Sequence, residues 1–308
     1  MADLSLVPFI LTVSAASLPL LLAATGELVV ERSGVLNLGL EGMMLVGAVC
    51  GFIVQVEFGV SVLSLGAAWA SGMLMAGLFG ILALGLRTNQ VATGLALTIF
   101  GTGLSALAGA DYVGRTVEPL SRLGFPGADR FGWLGVFEQT FLFWFAVVML
   151  LLVHIFLFRT RPGLVLRAVG ESHDAAHALG YGVVRWRFGA LLFGGGMSGL
   201  AGAYISLSYT PLWSEGLTAG RGWIALALVV FAAWVPWRLL LGTLLFGAIS
   251  VLELYGQGLG IGVAPHFLAM LPYLATVAAL ALISGSVSGR RRRLEAPGSL
   301  ARPFSPPG

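Results

Sequence analysis

The sequence predicts an all-α membrane protein, a bundle of about nine transmembrane helices with one short helix on a cytoplasmic loop. Hydrophobic residues fill 57% of its 308 positions and charged residues only 10%, whereas a soluble domain carries roughly 25% charged residues. Uncharged runs such as 4–26 and 58–86 exceed the roughly 20 helical residues that cross a hydrocarbon core of about 30 Å. Lipid is therefore the expected solvent for most of the chain.

Nine apolar segments are candidate spans, and the first is expected to remain in the mature protein. No basic region precedes it, and it is longer than the core of a signal peptide. Residues 1–289 are predicted to form one membrane domain, because no polar segment is long enough to fold alone. The tail, residues 290–308, is basic and proline-rich and is predicted to be disordered. The candidate spans are 4–26, 34–55, 60–86, 91–110, 139–158, 188–208, 222–236, 239–256 and 266–284.

The arginines orient the chain. If the C-terminus is cytoplasmic, only Arg115, Arg122, Arg130 and Arg221 fall outside, and the other 13 of the 17 arginines lie in cytoplasmic segments. Cytoplasmic loops carry the excess of basic residues in membrane proteins. We therefore expect the N-terminus outside and the C-terminus inside, with the arginine run 290–293 as an anchor after the last span.

The residue types needed for catalysis are missing or poorly arranged. The 308 residues contain no lysine, so a phosphate loop of the form G-x-x-x-x-G-K-[ST] cannot form. Cys50 is the single cysteine. His173 and His177, one helical turn apart, do not form an H-E-x-x-H pattern and are interpreted as solvated polar residues. The chain is predicted not to be an enzyme and to hold no cofactor or metal, so any ATP and Mg²⁺ would be bound by a partner.

The cytoplasmic loop 159–187 is predicted to contain a short capped helix. Ser172 is a plausible N-cap residue, Asp174 suits the positive end of a helix, and Gly180 suits the position after its C-terminus. Alanines 175, 176 and 178 would then form an exposed, small-sided face that can dock into a groove of another protein. The alternative is an amphipathic loop that lies on the membrane surface.

Polar residues enter the second candidate span. The stretch reads Glu31-Arg-Ser-Gly-Val-Leu-Asn-Leu-Gly-Leu-Glu-Gly-Met-Met44. A charged Glu41 inside a span costs about 2.5–3.5 kcal/mol on insertion scales, so it should face the bundle interior or water. Asn37 and the glycines allow an irregular helix that lines a cavity. Glu41 could equally form an interhelical hydrogen bond that holds the bundle.

Two further stretches offer groups to a polar solute. Asn89, Thr93 and Thr98 lie in Thr88-Asn-Gln-Val-Ala-Thr-Gly-Leu-Ala-Leu-Thr98 and could provide uncharged hydrogen-bond groups. Thr93 could instead bond to its own helix backbone. Trp223, in a segment expected to begin at the outer boundary, could stack on a ring or sit in the interfacial aromatic belt.

These stretches resemble the permease subunits of bacterial ATP-binding cassette (ABC) importers of the branched-chain amino acid, ribose and nucleoside group. The segment 31–44 looks like the nucleoside and simple-sugar branch, which pairs with lipoprotein-type binding proteins. The chain length resembles the shorter of two unequal permeases that pair in this branch. The likeness covers roughly residues 10–290, and its supporting stretches are 88–97, 166–171 and 220–227.

The resemblance implies partners and a location. A separate ABC ATPase subunit would dock on the cytoplasmic loop, a second and different permease would complete a heterodimer, and an extracytoplasmic solute-binding lipoprotein would deliver the solute. The location would be the bacterial inner membrane, with lipid contacts and no nucleic acid. The residues implied in ATPase contact are Arg167, Gly170, Glu171, Ala175, Ala176 and Gly180.

This chain departs from the family pattern at three places. It has Ser172 and Thr98 where the family has asparagine, and Ala232-Ala-Trp-Val235 where the family has a Gly-Gly-Trp-Asn type of run. These differences leave the fold unaffected and bear on the identity of the solute.

Two hypotheses from different classes follow. In the first, the chain forms the translocation path for a small polar solute. A nucleoside is the preferred solute, a simple sugar the second choice and a branched-chain amino acid the third. Asn37, Glu41, Asn89, Thr93, Thr98 and Trp223 would line this path. In the second, the chain is an ion-coupled secondary transporter that uses Glu41 and Glu253. The capped cytoplasmic helix favours the first, because a self-contained carrier does not require it.

Overall fold

The computed structural model describes residues 6–124, 132–258, 270, 274 and 296–305. Within these ranges the chain is helical, and its only β-type pairings are two isolated bridges. The α-helices of this described part are α1 (Leu6–Arg32), α2 (Leu40–Phe58), α3 (Ser61–Gly80), α4 (Gln90–Gly109), α5 (Phe141–Arg159), α6 (Arg161–Glu171), α7 (His173–Ala178), α8 (Val183–Tyr204), α9 (Arg221–Phe231) and α10 (Pro236–Gly258).

Seven described helices are long and apolar enough to cross a membrane, which confirms the predicted all-α membrane fold. They are α1 to α5, α8 and α10, some with a short π or 3-10 extension. The predicted span 266–284 lies outside the described residues, apart from residues 270 and 274. The predicted span 222–236 is wrong as a full crossing, because α9 has only 11 residues. Such a helix is about 16 Å long, roughly half of the hydrocarbon thickness.

α9 begins inside the bundle. The site of a Cβ on Gly222 lies 2.7 Å from the Cα of Glu41, so the two backbones are in contact. The neighbouring Gly42 faces Leu97 and Thr98, in the middle of the 20-residue α4. The expected start of α9 at the outer boundary is therefore wrong.

The other end of α9 returns to the end of α1. The guanidinium of Arg32, the last residue of α1, donates two hydrogen bonds to the carbonyl of Trp234, at 2.9 and 3.2 Å. The indole N–H of Trp234 donates to the carboxylate of Glu31. Both ends of α9 are therefore tied to the α1–α2 unit, one at Glu41 and the other at Glu31 and Arg32.

α8 is the central helix, and glycines let its neighbours approach it. Every residue from 194 to 207 is buried. A Cβ on Gly199 would overlap the backbone of Ala68 in α3, and a Cβ on Gly47 of α2 would overlap Gly199. Lipid provides no hydrophobic driving force between helices, so close packing of small residues has to hold them together. The glycine-rich run 194–202 lets α2 and α3 pack closely against α8.

A hairpin of two short helices connects α5 to α8. Thr160 begins α6, since its Oγ1 accepts from the N–H of Gly163 and Pro162 lies in the first turn of the helix. Ser172 begins α7, since its Oγ accepts from the N–H of Ala175. Gly180 follows the end of α7 with φ of +87°, a conformation that favours glycine. The predicted capped helix is confirmed in these details.

Residues 296–305 pack against this hairpin. Ser299 and Phe304 are buried, and the N–H of Ser299 donates to the carbonyl of Gly170 at 2.9 Å. The predicted disorder of the tail is therefore wrong for residues 296–305. A single buried aromatic side chain and backbone hydrogen bonds order a segment whose composition alone indicated disorder.

The turn between α9 and α10 holds two consecutive non-glycine residues at positive φ. Ala233 has φ of +49° and Trp234 has φ of +56°, whereas Ala232 has an ordinary φ of −70°. The left-handed region costs an L-residue with a Cβ roughly 1–2 kcal/mol. This backbone conformation directs the Trp234 side chain and carbonyl toward the end of α1.

Glycine at position 233 should relieve this strain. Ala233→Gly and Ala232→Gly each remove one buried methyl group, so comparing them isolates the effect of φ. We expect Ala233→Gly to be more stable than Ala232→Gly by about 1–2 kcal/mol. Thermal unfolding of the purified protein in detergent measures this difference. Equal destabilisation by both substitutions would contradict the assigned backbone strain.

Candidate functional site

Glu41 lies where α2 meets the start of α9. Its carboxylate accepts hydrogen bonds from the Gly220 N–H at 2.8 Å and the Gly222 N–H at 2.6 Å, and from the Thr218 hydroxyl. The first N–H groups of a helix lack intrahelical partners, and the helix dipole favours a negative charge beside them. Glu41 therefore makes the interhelical hydrogen bonds that were the alternative interpretation from the sequence.

Asn37 shapes the loop between α1 and α2. Its Oδ1 accepts from the Gly39 N–H at 3.0 Å, and its own backbone N–H donates to Glu27 Oε1 at 3.3 Å. Thr98 of α4 donates to the carbonyl of Leu38 in the same loop at 3.0 Å. The structure thus brings Asn37, Glu41 and Thr98 to one irregular region within the bundle.

Asn89 and Thr93 lie elsewhere, at the start of α4. Asn89 is exposed, and its Oδ1 accepts from the Ala92 N–H at 3.1 Å, so it is the N-cap of α4. Thr93 donates to the carbonyl of Asn89 at 2.8 Å. Thr93 therefore makes the bond to its own helix backbone that was one of its two predicted uses.

Trp223 lies in the first turn of α9 and is 37% exposed. It adjoins Gly222, which packs on Glu41. The interfacial-belt interpretation assumed that this segment begins at the outer boundary. Because α9 begins inside the bundle, that interpretation loses its basis.

Sequence reasoning missed several polar side chains of this region. Gln90 accepts from the Leu36 N–H at 2.9 Å, and Glu27 and Glu31 are fully buried in α1. Among the described residues, one carboxylate oxygen of each glutamate has no hydrogen-bond partner. Their sequence signal was the presence of two acidic residues one helical turn apart at the end of an apolar run.

The residues predicted to contact an ATPase separate into two groups. Glu171 and Ala175 are exposed, and Gly180 ends the hairpin helix. Gly170 is buried, and a Cβ on it would overlap the carbonyl of Arg32. It therefore fixes α6 against the end of α1 rather than facing a partner.

Arg167 and Ala176 also pack within the chain. The Arg167 guanidinium lies 5.0 Å from the ring centre of Phe158. Ala176 is only 2% exposed and packs with Val169, Val183 and Phe304. The predicted exposure of Ala176 is therefore wrong, because the tail segment covers that side of α7.

His173 was interpreted as a solvated residue, and this is wrong. It is buried, and its Nδ1 lies 3.1 Å from Arg187 Nη2. A guanidinium only donates, so Nδ1 accepts and the ring proton is on Nε2, 3.5 Å from Asp174 Oδ1. Burial and the Arg187 cation lower the pKa of His173, and Arg302 adds to this while Asp174 opposes it.

These features define a polytopic membrane protein in which a half-length helix begins inside the bundle and a helical hairpin packs at its end. The sequence profile of the family described as branched-chain amino acid transport system, permease component, matches residues 9–284. The chain therefore belongs to this family of ABC transporter permeases.

Three curated ABC transporter permeases are similar to this chain along most of their length. The chain is 40% identical to a putative glucose ABC transporter permease of Haloferax volcanii, covering 87% of this chain and 89% of the relative. It is 32% identical to a nucleoside ABC transporter permease of Lactococcus lactis (87% and 90%). It is 30% identical to a guanosine ABC transporter permease of Bacillus subtilis (85% and 87%). No solved structure matches the chain significantly.

Glu41→Gln tests whether this carboxylate holds α9. The amide would place an NH₂ group against N–H donors, so we expect a loss of about 1–3 kcal/mol in stability. Glu57→Gln is the matched control, since Glu57 is exposed and accepts from Tyr112 at 2.7 Å. Thermal unfolding in detergent compares the two variants. A Glu41→Gln protein as stable as the control would contradict this role.

Proposed function

We propose that this permease forms half of the translocation path of an importer for a small polar solute of the nucleoside and simple-sugar class. The observation that carries the proposal is the start of α9 inside the bundle, next to the loop that contains Asn37. Non-helical backbone at membrane depth is tolerated where it is buried in protein or lines a cavity. In transporters, the ends of broken helices commonly contact the solute.

A nucleoside is the first solute to test. Trp223 exposes part of its indole beside the start of α9, and an aromatic face stacks well on a nucleobase. Two of the relatives are named for nucleosides or guanosine. Glucose is the second candidate, because the relative at 40% identity is named for it.

The proposed partners follow from the permease role. An ABC ATPase binds ATP and Mg²⁺ and docks on the exposed side of the α6–α7 hairpin, which includes Glu171 and Ala175. A second, different permease completes the path, and a solute-binding lipoprotein delivers the solute from outside. This arrangement requires the hairpin and residues 296–305, which lie together, to face the cytoplasm, with the start of α1 outside.

The ion-coupled carrier is the weaker interpretation. Family membership argues against it, since the named relatives are ABC transporter permeases. Its two proposed ion sites lie on different helices, with Glu41 in α2 and Glu253 in α10. Glu41 already accepts three hydrogen bonds from the α9 region.

Reconstitution tests the proposal directly. The chain is co-expressed with its genomic neighbours, purified as a complex and placed in liposomes with the binding protein. We expect uptake of radiolabelled nucleoside only with ATP, and competition by unlabelled nucleosides but not by glucose. ATP-driven uptake of radiolabelled glucose, with no uptake of nucleoside, would move the assignment to sugars. Uptake by the isolated chain driven by an ion gradient would overturn the importer assignment.

Trp223→Ala tests the proposed stacking contact. Loss of an aromatic stack of about 1–1.5 kcal/mol should raise the KM for nucleoside roughly five- to tenfold, with little change in the ATPase rate of the complex. Trp237→Ala is the control, because Trp237 is also exposed but begins α10. ATP-driven uptake over a range of solute concentrations measures both. An unchanged KM in Trp223→Ala would remove this residue from the path.

A further inference from the structure

Residues 296–305 form a set of specific contacts with the α6–α7 hairpin. Ser299 is at their centre, since its N–H donates to the Gly170 carbonyl at 2.9 Å and its Oγ accepts from the His173 N–H at 3.1 Å. The latter bond satisfies one of the first N–H groups of α7, which lack partners within the helix. The tail segment therefore completes the cap of α7.

Arg187 of α8 joins this segment to the rest of the bundle. It is fully buried. Its Nε donates to the Ser33 carbonyl at 3.2 Å, its Nη1 to the Arg302 carbonyl at 3.1 Å, and its Nη2 to His173 Nδ1 at 3.1 Å. One guanidinium thus holds the end of α1, the tail segment and α7 together, using the fixed fork of donors that arginine provides.

Gly34 makes room for this guanidinium. Its φ of +89° favours glycine, and a Cβ there would lie 2.8 Å from Arg187 Nη2. A larger residue at position 34 would therefore displace the Arg187 guanidinium from the backbone that follows α1.

Phe304 anchors the segment. Its ring is 8% exposed, and the ring centres of His173 and His177 lie 5.4 and 5.3 Å away. Ala176 and Val169 complete the apolar pocket. The contact covers the side of α7 that faces the bundle and leaves Ala175 exposed on the other side.

We propose that residues 296–305 are an intramolecular clamp that fixes α7 relative to α8 and the end of α1, with Arg187 as its positioning residue. α7 has six residues, and isolated helices shorter than about 12 residues are marginal, so its position depends on such contacts. The inference rests on the proposed function in one respect. If α7 receives force from an ATPase, the clamp transmits that force to α1 and the Asn37 loop.

Phe304→Ala in the assembled complex tests the clamp. We expect amide hydrogen exchange of Ser299 and His173 to become at least about tenfold faster. The amount of solute transported per ATP hydrolysed should fall at least about threefold, while the ATPase subunit still co-purifies. Phe304→Leu should restore much of both values, because it refills the pocket. Phe58→Ala is the control, since it removes an exposed ring from the end of α2.

The two readouts separate the clamp from the proposed function. Hydrogen exchange reports on the clamp whatever the solute is. Unchanged exchange in Phe304→Ala would overturn the clamp, even in a complex that transports. Faster exchange with an unchanged transport-to-ATP ratio would retain the contact but overturn its role in force transmission. If Phe304→Ala does not fold, Ser299→Ala gives a milder test, because it removes only the hydroxyl that accepts from the His173 N–H.

The clamp should weaken in acid. Arg187 and Arg302 face His173 with positive charge, and Asp174 faces it with negative charge. His173 has a lowered pKa when clamped, so release raises it toward the ordinary value of about 6.5. Release is therefore favoured as the pH falls below about 6.5, and stability is fully present above that pH.

A pH series of hydrogen exchange measures this effect. After correction for intrinsic exchange, Ser299 should exchange up to about tenfold faster at pH 5.5 than at pH 7.5. In His173→Gln, which cannot titrate, this difference should vanish. A pH dependence that persists in His173→Gln would show that another group controls release and would overturn this part of the inference.

Discussion

The carboxylate of Glu41 at the start of α9 is the interaction on which the interior of the bundle depends. A half-length helix exposes N–H groups at a depth where lipid cannot satisfy them, and each unsatisfied group costs several kcal/mol. Glu41 accepts two of these N–H groups and a hydroxyl. Without an acceptor there, α9 could not begin inside the bundle, and the adjacent loop would lose its packing partner.

The sequence predicted most of the fold, because hydropathy is a strong signal in lipid. Long apolar runs located the seven crossing helices, and Ser172 and Gly180 located the ends of α7. The length of α9 was mispredicted. A hydropathy window registers that 222–236 is apolar, but not that Ala233 and Trp234 adopt positive φ and end the helix. Glycines 216 and 220, both at positive φ, were the available signal of an irregular approach.

The candidate site was harder to predict than the fold, because its polar groups satisfy one another across distant parts of the sequence. Glu41 pairs with a segment about 180 residues later, and sequence spacing gives no sign of this. The buried side of α7 was mispredicted for the same reason. The alanines of α7 predicted an exposed face that included Ala176, but Phe304, far along the chain, covers this residue.

The two attachments of α9 restrict how it can move. One end is bonded to the start of α2 through Glu41, and the other to the end of α1 through Arg32 and Glu31. A helix bonded at one end to α2 and at the other to α1 can change its tilt only if α1 and α2 shift relative to each other or these bonds break. Of the positive-φ residues that immediately precede α9, only Gly216 lies before the contacts of Thr218 and Gly220 with Glu41, so a bend there would leave both attachments of α9 intact.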